Sequence, residues 1–414
     1  MGYLCSFKIT NDSSAYFDVP FVNLSRLRNS PTEDGAPCIT LLLGENGAGK
    51  SFLLNQLVLS LRFLHRKDDK TQNKLKYDCY EMEFSDSSFS ESHVVSLVKE
   101  GKKYLVQNEM DEEMIPKRVL AVTESFPDKF EFEKEFIDEY YIYLGHKNQT
   151  NAIFEKNANG TTLKRLFQIF RNDLKASAFQ NILNSIGYEG EPIILYGMEE
   201  LRLRQAADNK KLDSDKFRLA FRRNGGIEDN AIVAWEWLSA GERHVIKSFC
   251  DILSFIVPGS LILIDEPEVS LHPSWQIKYV PLLQKTFKGF KNCQFIIASH
   301  SHFIATGLPK GKSFLLSISR IDNYKHATRE LYDDYSGTSA ERILYEVFGV
   351  TTTHNLFFQQ DLEQVVSYLE SHKKESRKPD EKTKEAFSRL KRFVKGWNDP
   401  LRLIIEEGEK RIGV

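Results

Sequence analysis

Hydrophobic positions change their period along the chain, and the changes divide it. Residues 1–30 alternate apolar and polar, as in YLCSFKI (3–9) and AYFDVPFVNL (15–24), which predicts strands of an edge sheet. PCITLLLG (37–44) is continuously apolar and predicts a buried strand. Across a glycine-rich loop, KSFLLNQLVLSLRFLH (50–65) takes up helical spacing, with Phe52, Leu53, Leu57, Leu59 and Leu61 mostly inward. The polar stretch RKDDKTQNKLK (66–76) predicts an exposed turn, and YDCYEMEFS (77–85) with KKYLVQNE (102–109) predicts a hairpin. RVLAVTESFPDKF (118–130) opens as a buried strand and breaks at Pro127. Between 131 and 190 the pattern predicts one helix, TLKRLFQIFRNDLKASAFQNILNSIG (162–187), with Gly187 as its C-cap.

The second half repeats the change of period. IVAWEWLSAGERHVIKSFCDILSFIV (232–257) predicts a turn and then a long buried helix. SLILIDEPEVSLHP (260–273) is a strand with a loop at its carboxyl end, and CQFIIASHSHF (293–303) is another. SFLLSISRID (313–322) and TRELY (328–332) predict a terminal hairpin. From Ser339 onward the pattern is helical, with a charged break across 371–384. Strands alternating with helices give an α/β protein: a mixed sheet flanked by helices, a helical and β insertion, and a helical C-terminal region. The expected segments are 1–64 and 231–330 for the two parts that carry motifs, 65–230 for the rest of the first lobe and the insertion, and 331–414 for the tail.

Composition narrows the class only slightly. The 414 residues are 41% hydrophobic and 28% charged, as in a globular protein, and 56 basic against 58 acidic side chains leave a net charge of −2. That balance gives no reason to expect nucleic acid, except through a local basic patch. Five scattered cysteines without a C-x-x-C pair argue for a reducing cytoplasm and against a zinc or disulfide framework. No apolar run approaches the ~18 residues of a membrane span.

The chemistry lies in four short stretches. Gly44, Glu45, Asn46, Gly47, Ala48, Gly49, Lys50 and Ser51 complete the pattern G-x-x-x-x-G-K-[ST] between a strand and a helix. The glycines let backbone N–H groups face phosphates, Lys50 adds a charge at the outer phosphates, and Ser51 offers a hydroxyl to Mg²⁺. ATP and Mg²⁺ are the ligands expected. In LILIDEP, Asp265 ends a strand and would hold the metal, while Glu266 would act on the attacking water as general base. The alternative for such an acidic pair is a helix-capping turn.

In LSAGER, Ser239, Gly241 and a helix N-terminus form a second anion-binding nest. One loop already surrounds a nucleotide, so a second nest suggests a composite site completed by another copy across a two-fold axis. Ser239 with Glu242 also spells a capping box, and both readings hold together. His300, just beyond the strand in IIASHS, could contact a γ-phosphate; a lone histidine there is otherwise a satisfied core or surface residue. With His302 it could suggest a metal pair, but no third ligand is in view.

This set, in this order, resembles the ATP-binding-cassette ATPase superfamily: GENGAGKS its Walker A, LSAGE its signature, LILIDEP its Walker B, EVSLHP its D-loop and ASHS its H-switch. The resemblance covers roughly 1–60 and 230–320 and implies a P-loop ABC-type ATPase fold. DEPEVSLHP is closer to the RecF, SMC and OLD branch than to transporter subunits. RVLAVTESFPDKF, YYIYLGHK and GTSAERILYEVFGV resemble Septu-type antiphage ATPases, encoded beside nuclease effectors. The resemblance implies an ATP-hydrolysing homodimer that acts as a switch and puts Leu271 and His272 at the dimer seam. One departure stands out: no glutamine follows RVLAVTES, where Glu124 or Ser125 takes the Q-loop place. Tyr16 and Phe17 are the aromatics positioned for adenine.

The tail carries no second catalytic set. TTTHN (351–355) lacks the second histidine and metal ligands of an HNH nuclease. The stripes Leu362, Val365, Val366, Leu369 and Leu390, Phe393, Val394, Trp397 are docking faces for an effector or packing against the chain's own cassette. KRLFQIFRND, LRLRQ…KK and LKRFVK are locally basic, as solvated faces or as DNA contacts. Two functions follow: an antiphage switch that controls a nuclease effector, or an ATP-dependent DNA-binding protein of repair or chromosome maintenance.

Overall fold

β1 (Tyr3–Asn11), buried throughout its first three residues and alternating after them, pairs with β2 (Ser14–Pro20) in antiparallel register. By contrast β3 (Cys38–Leu43) is buried at all six positions, as a strand covered on both faces must be. It feeds α1 (Lys50–Arg66) through the glycine loop. A short helix α2 (Asp69–Gln72), capped by the Asp68 side chain accepting from Thr71 N, leads to β4 (Cys79–Ser85), β5 (Ser92–Glu100) and β6 (Lys103–Gln107). Next come β7 (Arg118–Thr123), β8 (Tyr141–Leu144), α3 (Phe154–Ile169), α4 (Asp173–Ser185), β9 (Tyr188–Tyr196), β10 (Glu199–Arg202), β11 (Arg218–Arg223) and β12 (Ile232–Ala234). Then α5 (Ala240–Phe255), β13 (Ser260–Asp265), α6 (Pro273–Phe287), β14 (Gln294–Ser299), α7 (His302–Thr306), β15 (Ser313–Arg320) and β16 (His326–Glu330) follow. The tail holds α8 (Leu356–Ser371), α9 (Glu381–Lys391) and α10 (Arg402–Ile412).

This computed structural model describes all residues except 1, 13, 25–34, 87, 126–127, 133–138, 146–153, 198, 204–215, 226–231, 309–312, 322–324, 332–341, 345–355, 372–378, 392–400 and 413–414. Pro127 and the stretch TTTHN lie outside the described residues, as does most of GTSAERILYEVFGV. The chain divides into two compact units, Met1–Ile343 and Leu344–Val414.

Among the described residues the first unit holds three sheets. The seven-stranded sheet runs β16-β15-β3-β14-β13-β7-β8; every adjacent pair is parallel except β15 with β16. A five-stranded antiparallel sheet runs β2-β1-β4-β5-β6, and a four-stranded one β10-β9-β11-β12. One core joins Phe7, Val19 and Tyr80 of the five-stranded sheet to Leu53, Leu57 and Leu61 of α1 and to Leu42, Leu263, Ile296 and Leu316 of the large sheet. α1 is thus covered on both sides, which explains buried Leu54, Val58 and Leu64 outside the inward stripe expected of it. Even Arg62 is buried, its guanidinium over the Tyr141 ring at 4.8 Å.

Two local expectations change. The predicted hairpin of β4 with β6 is a meander, because β5 lies between them and pairs with both. The single predicted helix across 162–187 is two: α3 ends, and Asn172 caps α4 by accepting from Lys175 N at 3.1 Å. That second helix does close as expected, with Gly187 at φ +91° just beyond it. All five cysteines are free thiols, and burial pushes Cys250 up to about 12. No helix among the described residues is long and apolar enough to cross a membrane.

The described apolar residues of the tail pack on one another. Val365 and Leu369 of α8 form one core with Ala386, Phe387 and Leu390 of α9 and Ile405 of α10, with Leu362 at its margin. Arg389 fixes the pair with a bidentate grip on Asp361, at 2.8 and 2.7 Å. Both alternatives expected of Leu362, Val365, Leu369 and Leu390 therefore give way to a third, a small core of the tail's own. Val366 is half-buried, and Phe393, Val394 and Trp397 lie outside the described residues.

Candidate functional site

The large sheet gathers the motifs at one edge. Register places Leu43 opposite Ser299, Ala298 opposite Asp265, and Asp265 opposite Thr123. The loops after β3, β14, β13 and β7 therefore open side by side at the carboxyl ends of parallel strands, where α/β sheets bind ligands. β14, the strand that ends just before His300, lies between the strand of the glycine loop and the strand of Asp265.

The glycine loop needs its glycines. Gly47 and Gly49 sit at φ +81° and +89°, a region glycine enters freely. A Cβ on Gly44 would lie 2.2 Å from Ile318 O, and one on Gly49 would lie 2.9 Å from both Phe17 Cζ and His326 Cε1. Lys50 opens α1 and is buried; its Nζ donates to Gly44 O at 2.7 Å and Glu45 O at 3.0 Å. Burial pushes this ammonium below its ordinary range, against the opposing charges of Glu268, Asp265 and Glu266.

Ser51 Oγ donates to Asp265 Oδ1 at 2.9 Å. Asp265 is 1% exposed, and burial pushes its carboxyl up to about 7; Ser51 and Lys50 pull the other way. A carboxylate this dry gains from a cation beside it. Ser51 and Asp265 together supply adjacent hard oxygen donors, which fit Mg²⁺.

Glu266 adopts φ +52°, and its N–H donates to Ala298 O at 2.9 Å. A non-glycine residue held there carries strain of order 1–3 kcal/mol, a pattern that clusters at functional sites. Glu268, two residues on, was not singled out in the sequence. It is buried, and its Oε1 accepts from Ser299 Oγ at 2.8 Å and His300 N at 2.7 Å. The same oxygen lies 3.1 Å from Nδ1 of His300, whose side chain is 40% exposed. His300 is therefore held by a carboxylate. Among the described residues no group of three His, Cys, Asp or Glu side chains could hold a metal ion.

The signature forms a full capping box. Ser239 Oγ accepts from Glu242 N at 3.2 Å, and Glu242 Oε2 accepts from Ser239 N at 2.8 Å. Tyr188 of the insertion donates to Glu242 Oε1 at 2.8 Å. Ser239, Gly241 and Glu242 have no hydrogen bond to residues 44–51 among the described residues. Gly241 neighbours the D-loop: a Cβ on it would lie 3.4 Å from Ser270 O and 3.8 Å from Leu271 Cδ2. Trp237, two residues before Ser239, is 79% exposed.

Other expected contacts differ. At the Q-loop place, Glu124 accepts from Lys247 of α5 at 2.7 Å, so its carboxylate is engaged by the signature helix. Phe17 is fully buried and stacks on His326 at 4.1 Å between centroids, while Tyr16 stacks on Tyr77 at 5.0 Å. In KRLFQIFRND, Arg165 pairs with buried Asp251 and lies over Phe255, an internal tie instead of an outward cation. Most of the other two basic stretches lies outside the described residues.

Residues 195–305, which span the signature, Asp265 and His300, match the family described as "AAA domain, putative AbiEii toxin, Type IV TA system". The "Retron Ec83 probable ATPase" of Escherichia coli is 32% identical over 163 residues, 36% of this chain and 28% of that protein, so the chain spans under a third of its length. The "Septu protein PtuA" of Bacillus thuringiensis is 22% identical over 391 residues, covering 89% of this chain and 91% of that one. Among solved structures, the "SMC head domain from Thermotoga maritima" covers 80% of this chain and 99% of its own at 11% identity, with a TM-score of 0.44. The chain sets the motif order of a P-loop ATPase on a mixed α/β sheet, and it is similar in sequence to a probable retron ATPase and to a Septu protein.

Proposed function

We propose that the chain is an ATP-hydrolysing switch that closes as a head-to-tail homodimer and controls an effector, a nuclease, in bacterial antiphage defence. The observation that carries the switch is the placement of the two nests. Residues 44–51 form one, while Gly241 lies against its own D-loop and the first turn of α5, which opens after Ser239, is left for a nucleotide on another copy. In this reading Lys50 leaves the carbonyls of Gly44 and Glu45 for the outer phosphates. Ser51 and Asp265 hold Mg²⁺, which supplies neutralising charge to the phosphate oxygens. Glu266 takes the proton of the attacking water, and His300 contacts the γ-phosphate. The defence role and the effector rest on the likeness to the Septu and retron proteins.

Glu266→Gln tests the core of this reading. The amide keeps the shape and cannot take the proton. ATP should then bind without turnover, and light scattering should report a mass twice that of the chain. Hydrolysis at the wild-type rate would show that Glu266 is not the base.

A further inference from the structure

Glu268 has a role that the motif pattern does not assign. It leaves the D-loop and points back into the sheet edge, with its side chain almost wholly dry. Oε1 gathers the Ser299 hydroxyl, the His300 backbone N–H and the His300 ring, all from the end of one strand. Oε2 is buried and meets no donor among the described residues. A second tie runs parallel. Gln276 of α6 donates to Leu271 O at 2.9 Å and accepts from Ser301 Oγ at 2.5 Å. Residues 299–301 are thus clamped from both sides to the loop that ends at Ser270 and Leu271, the neighbours of Gly241.

The ring lies with Nδ1 3.1 Å from Oε1 and, because a carboxylate oxygen only accepts, this placement favours the proton on Nδ1 and leaves Nε2 for a ligand. An imidazole without this partner is free to hold its proton on either nitrogen and to turn about its side-chain bonds. A buried carboxylate with one orphan oxygen is a net cost to a fold, which argues for a gain elsewhere.

We propose that Glu268 is the positioning residue of His300, fixing its tautomer and ring plane and tying the ring to the D-loop. The effect on turnover rests on ATP being hydrolysed at this site. The placement of the ring does not. Movement of His300 toward a phosphate pulls on Glu268 and hence on Ser270 and Leu271 beside Gly241. One copy's phosphate contact is thereby transmitted to the surface its partner would touch.

Two measurements on the full chain decide it. In protein with ¹⁵N-histidine and no nucleotide, the His300 ring signals, assigned with His300→Ala, should show the Nδ1–H tautomer; Glu268→Ala should shift them toward a mixture. The Nε2–H tautomer in the wild type, or unchanged signals in the variant, overturns the proposal whether or not ATP is hydrolysed. In kinetics, Glu268→Ala should lower kcat roughly tenfold to a hundredfold, as residues that orient a histidine do, with KM for ATP within about threefold. Glu268→Gln, which keeps an acceptor, should recover part of that loss. In a His300→Ala background, Glu268→Ala should add nothing further. Independent, multiplying losses would show that Glu268 acts without His300.

Discussion

Lys247 donates to Glu124 at 2.7 Å and binds the end of β7 to the signature helix α5. The same ammonium lies 3.4 Å from Asp251, which Arg165 of α3 also grips. Both carboxylates are dry, with side chains 11% and 2% exposed. Lys247→Met should therefore cost about 3 kcal/mol, the low end of the range for removing one partner of a buried ion pair, since Arg165 stays with Asp251. Glu124→Gln keeps an acceptor for Lys247 and should cost only about 1 kcal/mol. Urea unfolding of the two variants separates these values. A loss under about 0.5 kcal/mol for Lys247→Met would mean the network carries no net stability.

A second prediction concerns a residue that weakens its own fold. Asp265 ionises near 7 in the folded chain against 3.8 as a free side chain. Its folded value is raised, so the folded state binds the extra proton, and stability falls as pH climbs from about 4 toward 7. Asp265→Asn keeps an oxygen for Ser51 and removes the dry charge. In EDTA the variant should melt higher than the wild type by a few degrees, with the gap wider at pH 8 than at pH 5. Mg²⁺-dependent nucleotide binding should be lost. A lower melting temperature at pH 8 would contradict the burial argument.

Local patterns made part of this site legible. Each residue of GENGAGKS answers to the phosphate loop alone, and SLILID announces a strand by being buried on both faces. Ser239 and Glu242 are three apart, so their capping box is written in the helix period. Contacts closed only by the sheet were hidden. Glu268 meets Ser299 and His300 because β13 and β14 are parallel neighbours, which no spacing in the sequence encodes. β5 escaped because its short apolar centre, VVSLV, is flanked by polar ends. The break between α3 and α4 was written in Asn172, a cap residue that helical periodicity around it concealed. The stripe of α8 was visible, but its cover was not, since Ala386, Phe387, Leu390 and Ile405 come from two later helices.

Ser239 separates helix capping from the composite site. Burial disfavours the Glu242 charge, yet hydrogen bonds from Ser239 and Tyr188 and the nearby Arg223 hold its carboxyl below the usual range. That stabilisation is present above pH 4.5 and fades as pH falls through the lower folded value. At neutral pH, Ser239→Ala should cost about 1 kcal/mol through the lost Oγ acceptor. Ser239→Arg fills the outward nest instead. Combined with Glu266→Gln, it should bind ATP as a single copy, and mass measurement reads the result. A closed dimer of that double variant would sink the shared site.

Gly408 makes the tail's core depend on one missing methyl. It lies within α10, where alanine usually gains about 1 kcal/mol over glycine. Here a Cβ would stand 2.1 Å from Cε2 and 2.8 Å from Cζ of Phe387, a ring wholly buried in the three-helix core. The ring has nowhere to retreat among Val365, Ala386 and Leu390. Overpacking costs about 1–3 kcal/mol, so the clash wins over the helix preference. Gly408→Ala should speed hydrogen exchange across α8, α9 and α10 together, because the three helices share that core. Phe387→Leu in the same chain removes the clashing ring edge and should restore part of the protection. Slower exchange in Gly408→Ala alone would mean that helix propensity outweighs the packing of Phe387.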